Sequence, residues 1–351
     1  MPSSTIMHAA VFAVGAIVGG GVATAVSSRR RQVPMTPPVA VKATDSPSPL
    51  VDVQQSGATA LQTMSPVMMD TAVLKYGNPG PLSDQLVRRA YVAGYDRRLR
   101  HPAWTAEHLT LASLGKSALE GAPPADEAGD RGKSAFTEDE SIPALFRAKL
   151  QDYFRSGYDR GHMVPAADAK ASQAAMDETF LLTNIAPQVG AGFNRHYWAY
   201  LEDWCRRLTA SFSDVYVFTV PLYLPKQDPD GKWRVSYEVI GSPPNISVPT
   251  HFAKVVLTAR PSSPATPHIQ EISTGAFVLP NAQIPDEAKL ESFAVPIEAV
   301  ERAAGLTLFS DMVKKSSKHI CQSTKCEVIV RRFDDARKQS NRKAIAPPKS
   351  S

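Results

Sequence analysis

The central part of the chain contains three apolar runs that are separated by turn residues. The runs at 214–225, 233–241 and 251–259 are rich in Val, Tyr and Phe, and Pro, Gly and Asn interrupt them. β-Branched and aromatic residues bounded by turn formers are typical of successive strands. The pattern therefore predicts three strands in this region.

A different spacing precedes these runs. Within 194–212 the apolar residues recur every three or four positions, as expected for one face of a helix, and they are Trp198, Leu201, Trp204, Cys205 and Leu208. Asn194 is suited to cap this helix. Shorter helices are predicted at 142–154 and 297–306. Because strands and helices do not alternate regularly, the predicted class is α+β, with a mixed, mainly antiparallel sheet and flanking helices.

The composition changes near both ends of the chain. Residues 5–28 contain no Asp, Glu, Lys or Arg and are followed by three arginines at 29–31. We interpret 1–31 as a targeting and membrane-anchor segment, since a secretory signal would carry its positive charge before the apolar run. Residues 32–70 are rich in Pro, Ser, Thr and Gln and predict a disordered linker. A folded domain at 71–335 and a disordered basic tail at 336–351 follow.

Overall composition limits the function only a little. The 351 residues are 43% hydrophobic and 21% charged, which fits a globular domain, and the net charge of +5 leaves nucleic acid, an anionic membrane or no such partner open. Three cysteines exclude a disulfide framework, and the C-x4-C pair lacks half of a structural zinc site. The pattern favours three free thiols, with a Cys321–Cys326 disulfide as the alternative.

Candidate chemistry begins with "SGYDRGHMVPAAD" at 156–168, which places Asp159, Arg160 and His162 side by side. A histidine has an unperturbed pKa near neutrality and can act as a general base. On this stretch alone, a polar turn with a structural histidine is the alternative interpretation.

Further polar residues follow downstream. Asn184 in "LTNIAPQ" comes after an apolar run, where a strand would end, and Asn194 and Glu202 lie eight positions apart on one predicted helix face. Eight residues of helix span about 12 Å, which is too far for two direct ligands of one ion. One amide oxygen with a carboxylate reached through water would suit Mg²⁺. The alternative is that Asn194 is a helix cap and that Glu202 pairs with Arg206.

These motifs together resemble the DNA/RNA non-specific endonucleases, and within them the fungal form of mitochondrial endonuclease G. The resemblance covers about residues 75–333 and includes "DRGH", "FNRHYW", "VPLYLP", "YEVIG" and "VPTHFAKV" in order. It implies a ββα-metal nuclease fold and hydrolysis of DNA and RNA to 5′-phosphate and 3′-hydroxyl ends with Mg²⁺, or Mn²⁺ as an alternative. It also implies a homodimer at the mitochondrial inner membrane, facing the intermembrane space. Movement to the nucleus after release and DNA degradation during cell death are further implications.

The resemblance also implies roles for individual residues. His162 would be the general base, Asn194 the direct protein ligand of Mg²⁺, and Glu202 a carboxylate that holds water on the metal. Asn184 would help organise the site, and Arg160 would support the metal or the phosphate.

A further arginine of the family contacts the phosphate, and its position is best matched by Arg131, with Arg98 as a second candidate. The basic stretch 88–101, which includes Arg98 and Arg100, would track the nucleic-acid backbone together with Arg131 and Arg160. A solvated basic surface is the alternative for that stretch.

One position departs from the family pattern. Val220 in "FTVPLYLP" occupies a position that is usually glycine, so we expect backbone strain there if the glycine serves a tight turn. Such strain would favour a nucleic-acid-binding protein that has lost catalysis. A zinc hydrolase is disfavoured, because neither His196 nor His251 lies at ligand spacing from His162.

Overall fold

The structure is a computed structural model that describes residues 80–116 and 128–330. The predicted anchor at 1–31, linker at 32–70 and tail at 336–351 lie outside these described residues. Within the two described ranges, no helix is both long and apolar enough to span a membrane.

The described residues form strands of 2 to 11 residues in two groups, before and after the longest α-helix, α3 (Trp198–Leu208). The strands are β1 (Ser83–Val87), β2 (Tyr91–Asp96), β3 (His101–Leu109), β4 (Asp159–His162), β5 (Ile185–Gln188), β6 (Asp214–Leu222), β7 (Lys226–Gln227), β8 (Trp233–Arg234), β9 (Val239–Ile240), β10 (Ile246–Ser247), β11 (His251–Pro261), β12 (Gln270–Pro280), β13 (Ala294–Val295) and β14 (Lys318–His319).

Helices connect and cover these strands. The α-helices are α1 (Leu150–Tyr153), α2 (Gln173–Glu178), α3 (Trp198–Leu208), α4 (Ile297–Ala304), α5 (Asp311–Ser316) and α6 (Ile320–Ser323). Short 3₁₀ helices lie at Arg131–Lys133, Ala144–Phe146, Ala166–Asp168, Leu182–Asn184 and Leu290–Phe293, and a π-helical turn lies at Gly190–Tyr197.

A large central sheet organises the domain. Its strand order is β1-β2-β3-β6-β11-β12-β13, and β14 pairs with β12. Neighbours along this order are antiparallel, whereas β14 is parallel to β12. This sheet and its separate helices confirm the predicted α+β class, and β6, β11 and α4 confirm the elements predicted at 214–225, 251–259 and 297–306.

Helices bury both faces of the sheet. On one face Val217 of β6 packs in a cluster with Trp198 and Trp204 of α3. On the other face Val220 of β6 packs in a cluster with Val300 of α4. Because side chains of a strand alternate between faces, β6 contributes to both hydrophobic cores.

A separate antiparallel pair, β4 and β5, lies beside α3. His162 lies opposite Ile185 in this pair. A Cβ atom on Gly161 would collide with the side chain of Gln188, so the close approach of the strands requires glycine here. Since β5 leads through the π-helical turn into α3, two strands and a helix surround His162. This is the ββα arrangement that the resemblance implied.

Two predicted elements were wrong in part. The strand predicted at 233–241 is reduced to β8 and β9, which pair only with the short strands β7 and β10, outside the central sheet. The helix predicted at 142–154 is interrupted after Phe146. The Tyr95 hydroxyl donates to Phe146 O (2.9 Å) and accepts from Ala148 N (3.2 Å), which holds the backbone of Arg147 extended.

The helix predicted from Asn194 begins later than expected. Asn194 lies inside the π-helical turn, where its N–H donates to Val189 O (2.9 Å), so its interpretation as a helix cap was wrong. Gly192 has a φ of 78° and breaks the helical path before α3. Asn184 likewise does not end a strand, because it ends a 3₁₀ helix immediately before β5.

Two further expectations are corrected by the structure. Cys321 and Cys326 form a disulfide, and Cys205 is a buried free thiol, so the interpretation as three free thiols was wrong. The structure also contradicts the expected strain at Val220. This residue lies in regular β6 opposite Ala253 and does not have a positive φ. Its side chain is fully buried in the core instead.

We predict that Val220→Gly destabilises the domain. The substitution removes a buried side chain and places glycine inside a strand, which together cost about 3 kcal/mol. Val87→Gly is the matched control, because Val87 lies on the edge strand β1 and is 71% exposed. Denaturant unfolding should show a lower midpoint for Val220→Gly and a small change for Val87→Gly. A raised midpoint for Val220→Gly would restore the strain hypothesis.

Candidate active site

An open cleft of about 770 Å³ lies between β4, the π-helical turn and α3. The residues that line it are Arg131, Phe136, Asp159, Arg160, His162, Pro165, Ala166, Ala167, Asn194, Arg195, Ala199, Glu202 and Arg206. The cleft therefore brings together most of the residues that the sequence singled out, from three separate stretches of chain.

His162 ends β4 and is almost enclosed. Its ring packs against Phe136 (5.3 Å between centroids) and against the edge of Phe180 (4.8 Å). Burial lowers the pKa of His162 to about 3, and the positive charges of Arg131 and Arg160 add to the effect. The imidazole is therefore neutral at pH 7. Its Nε2 atom is buried and has no hydrogen-bond partner among the described residues.

Asn184 holds the chain next to His162 and does not line the cleft. Its Nδ2 donates to Val164 O and to Thr179 O (both 2.9 Å), and its Oδ1 accepts from Val164 N (3.0 Å). Its own carbonyl accepts from Met163 N (2.9 Å). All of these groups are buried, so the loss of any of these hydrogen bonds would destabilise the folded protein. Asn184 thus positions the segment that follows His162.

Asp159 orients the amide of Asn194. The Asn194 Nδ2 donates to Asp159 Oδ2 (2.9 Å), and Arg195 donates to both carboxylate oxygens (2.7 and 2.5 Å). Burial alone would raise the pKa of Asp159, but these hydrogen bonds outweigh it and lower the pKa below its usual value. A carboxylate can only accept, so the amide nitrogen must face Asp159. The amide oxygen is therefore the atom of Asn194 left to act as a ligand.

One side of α3 forms a wall of the cleft. Ala199, Glu202 and Arg206 recur at helical spacing along it. Burial raises the pKa of Glu202 to about 7, although the positive charges of Lys254 and Arg206 oppose the shift. Arg206 donates to Asp168 Oδ1 (2.7 Å), so its guanidinium is held by a partner from another segment.

Two buried ionisable side chains lie beneath this wall. Lys254 Nζ is 4.0 Å from Glu107 Oε1, donates to Thr219 Oγ1 (2.8 Å) and is 5.2 Å from the centre of the Trp198 ring. Desolvation raises the pKa of Glu107 well above its usual range, and the charge of Asp168 contributes. The positive charge of Lys254 acts on the wall of the cleft, because it opposes the raised pKa of Glu202.

Arg131 and Arg160 flank the histidine from the open side. The guanidinium carbon of Arg160 is 4.3 Å from the centre of the Phe136 ring, and that of Arg131 is 5.4 Å from the centre of Phe180. Asp130 caps the short helix that begins at Arg131 by accepting from Gly132 N (2.8 Å). Two cations therefore stand over the rings that enclose His162.

The structure does not bring Arg98 and Arg100 to this cleft. Arg98 is exposed beside Asp96 (3.4 Å), and Arg100 donates to Asn245 Oδ1 (3.1 Å). Other arginines of the basic stretch are also paired, Arg97 with Asp84 (2.5 Å) among them. Much of the charge of this stretch is therefore balanced within the domain.

Comparison with known proteins identifies the family of the chain. A family model for DNA/RNA non-specific endonucleases matches residues 69–315, most of the chain. The chain belongs to this family. It is therefore an endonuclease, a phosphodiester hydrolase that acts on DNA and RNA.

Similar members of the family are nucleases of fungi and animals. The chain is 48% identical over 272 residues to "Nuclease 1, mitochondrial" of Schizosaccharomyces pombe and 50% identical over 276 residues to "Mitochondrial nuclease" of Saccharomyces cerevisiae, with 78% of this chain and 80% of each relative covered. It is 41% identical to human "Endonuclease G, mitochondrial", covering 69% of this chain and 74% of the relative.

A solved structure shares the fold. A chain in the crystal structure of the EndoG/EndoGI complex, which concerns the mechanism of EndoG inhibition, is 45% identical and has a TM-score of 0.60. The match covers 70% of this chain and 93% of that chain.

Several residues of the candidate site were missed by sequence reasoning. Asp159 was visible in the "DRGH" motif, but nothing in the sequence connected it to Asn194, 35 residues away. The cleft position of Arg206 could have been found, since it follows Glu202 by one helical turn. Asp168 and Glu107 gave no signal, because their partners lie far away in the sequence.

We predict that Asp159→Asn weakens metal activation of the endonuclease. Loss of the carboxylate frees the Asn194 amide to rotate, and changes of this kind cost about 10- to 100-fold in metal affinity or activity. The half-saturating concentration of Mg²⁺ should rise while the circular dichroism spectrum stays unchanged. Asp230→Asn, on the exposed turn between β7 and β8, is the control. An unchanged Mg²⁺ requirement in Asp159→Asn would refute the orienting role.

Proposed function

We propose that this endonuclease is a Mg²⁺-dependent, sugar-non-specific enzyme that leaves 5′-phosphate and 3′-hydroxyl ends, with His162 as the general base. The observation that carries the proposal is the cleft itself. A neutral buried histidine, an oriented amide oxygen and several cations face one volume large enough for a phosphodiester and its sugars.

His162 supplies the base. Because the ring is neutral and His162 lines the cleft, it can take a proton from an attacking water there. In the free enzyme the neighbouring arginines oppose that proton. An anionic phosphate bound between Arg131 and Arg160 offsets their charge and stabilises the imidazolium. Substrate binding thus raises the pKa of His162 and makes it a stronger base in the complex.

The cations of the cleft act on the phosphate. Negative charge increases on the phosphoryl oxygens during attack, and preorganised positive groups stabilise it. Arg131 and Arg160 stand at the open side, and Asp168 holds Arg206 on the opposite wall. Breaking the bond to the 3′ oxygen leaves the phosphate on the 5′ side, and the 3′ oxygen takes a proton from water to become the hydroxyl.

The donor atoms of the cleft fit a hard divalent cation. Asn194 offers an amide oxygen, which Asp159 fixes in orientation, and Glu202 offers a carboxylate. Oxygen ligands of this kind suit Mg²⁺, with Mn²⁺ as an alternative. When bound, the ion would neutralise charge on the phosphate and on the leaving oxygen.

The lack of sequence preference has a physical basis in this site. The cleft presents arginines, which hold phosphate rather than base edges. Contacts to phosphate carry no base information, and they suit both DNA and RNA because the phosphate is common to the two polymers.

The location and assembly belong to the same proposal. The uncharged segment at 5–28 and the relatives named as mitochondrial support anchoring at the mitochondrial inner membrane, facing the intermembrane space. We further propose a homodimer that reaches the nucleus after release and degrades DNA during cell death. These points rest on family membership.

The competing functions lose their support. The binding-protein alternative rested on strain at Val220, which the structure does not contain. For a zinc hydrolase, no group of three or more His, Cys, Asp and Glu that could hold a metal is present in ranges 80–116 and 128–330.

We predict that His162→Ala lowers kcat/KM by about 10²- to 10⁴-fold on both supercoiled plasmid and single-stranded RNA, because the base is lost. Excess chelator should abolish cleavage by the wild type. Products should be ligatable, which requires 5′-phosphate and 3′-hydroxyl ends.

The control for this experiment is His108→Ala. His108 contacts Asp214 (2.8 Å) on the central sheet and lies outside the cleft, so its removal should leave both activities unchanged. Full activity of folded His162→Ala would overturn the assignment of the base.

We also predict that the Mg²⁺ requirement depends on pH through Glu202. Its raised pKa of about 7 means that the carboxyl is protonated below this value and offers no charge to the cation. The half-saturating Mg²⁺ concentration should rise about tenfold per unit as pH falls below 7. In Glu202→Gln the requirement should be high and independent of pH between 5.5 and 8, roughly the range around that pKa. An equally steep profile in this variant would assign the proton to another group.

A further inference from the structure

A second, smaller groove continues from the cleft. It has a volume of about 270 Å³ and is lined by Leu150, Tyr153, Phe154, Arg155, Tyr158, Asp159 and Arg160. We call it the side groove. Asp159 and Arg160 also line the main cleft, so the two share a wall. A polymer whose phosphate lies in the cleft would place a neighbouring nucleotide at the side groove.

The side groove is rich in aromatic surface. Phe154 is 64% exposed, although a phenylalanine is usually buried. Tyr158 is half-buried, and its hydroxyl is hydrogen-bonded to Glu238. The ring of Tyr158 is therefore the part that can contact a ligand in the side groove. Aromatic rings at the edge of a nucleic-acid cleft provide stacking surfaces for bases.

The charge of the side groove also fits a nucleic acid. The guanidinium carbon of Arg155 is 5.1 Å from the centre of the Phe154 ring, and Arg160 adds a second positive charge. The one acidic group on the shared wall, Asp159, is paired with Arg195. A cation beside an aromatic ring favours a flat base attached to a phosphate chain.

The backbone of this loop is under strain. Arg155 has a φ of 54°, a conformation that is unfavourable for a residue other than glycine, and it turns the chain between Phe154 and Tyr158. Such strain is maintained at ligand-binding loops more often than elsewhere.

We propose that the side groove binds an unpaired nucleobase of single-stranded DNA or RNA, next to the phosphate in the cleft. The inference rests on the proposed nuclease function and extends it to the substrate. A base in a duplex is stacked and paired and cannot enter such a groove without leaving the helix. The enzyme therefore gains an added interaction with single strands that duplexes do not provide.

The test compares wild type, Phe154→Ala and Phe154→Tyr on a single-stranded DNA oligonucleotide that carries one abasic position. Product mapping on the wild type should show reduced cutting at a phosphate at a fixed offset from the abasic sugar, by about 5- to 150-fold, because base stacking is lost there. Phe154→Ala should cut that phosphate and the others alike. Phe154→Tyr keeps a stacking ring and should retain the reduction.

Trp233→Ala is the matched control. Trp233 is as exposed as Phe154, at 66%, but lies on β8, outside both the cleft and the side groove. This variant should keep the wild-type cutting pattern. In addition, Phe154→Ala should lower kcat/KM on single strands more than on plasmid duplex.

A binding measurement separates failure of the side groove from failure of the nuclease proposal. Fluorescence anisotropy with the same oligonucleotide in chelator, at fixed salt, should show a higher Kd for Phe154→Ala than for wild type and Trp233→Ala. If the wild type binds the oligonucleotide but cuts nothing with Mg²⁺, the nuclease proposal fails. The comparison of Kd values still tests whether the side groove binds a base. If wild type and Phe154→Ala share one cutting pattern and one Kd, the side groove does not bind a base.

Discussion

The burial of one side of α3 against the central sheet determines the geometry of the whole cleft. Trp198 and Trp204 pack into the sheet core and leave little freedom for the helix to rotate. With that side fixed, Glu202 and Arg206 lie along the adjoining side of the helix, where they line the cleft together with His162 of β4. The positions of the charged groups are thus a consequence of apolar packing, and a shift of α3 would displace the whole charged wall.

The electrostatics of the site follow from the same enclosure. Phe136 and Phe180 cover much of His162, and both this burial and the two nearby arginines favour the neutral ring. On the helical wall, desolvation raises the pKa of Glu202 to about 7, so this carboxyl binds a proton near neutral pH. Both groups are therefore far from their solution behaviour. A bound phosphate and a bound cation bring charges that favour the ionised forms of both.

The side groove gives the cleft an asymmetry that His162 and the charged residues alone do not have. On one wall lie ionic groups that hold any phosphate, and beyond Arg160 lie exposed rings that contact a base only when it is unpaired. Such an arrangement is compatible with the absence of base recognition, because every base has a flat face. Binding at the side groove therefore depends on whether the substrate is single-stranded, and not on its base sequence.

Local patterns in the sequence were sufficient for much of the fold. The apolar runs of β6 and β11 and the periodic helix face of α3 are signals that come from near neighbours, and the structure contains all three elements. The same local signals were wrong at 233–241, where β8 and β9 pair only with β7 and β10, outside the central sheet. Which strands join the central sheet depends on contacts between distant segments, and a local pattern does not contain them. The helix predicted at 142–154 was interrupted because Tyr95, distant in sequence, holds the backbone there.

For the site, the sequence by itself predicted the kind of chemistry. The motif around His162 and the spacing of Asn194 and Glu202 were readable as residue types suited to a base and a hard cation. Only the tertiary structure decided how they are held. The carboxylate that orients Asn194, the salt bridge of Arg206 with Asp168 and the enclosure of His162 all join segments far apart in the chain. Contacts of this kind depend on packing between elements, which no local pattern records.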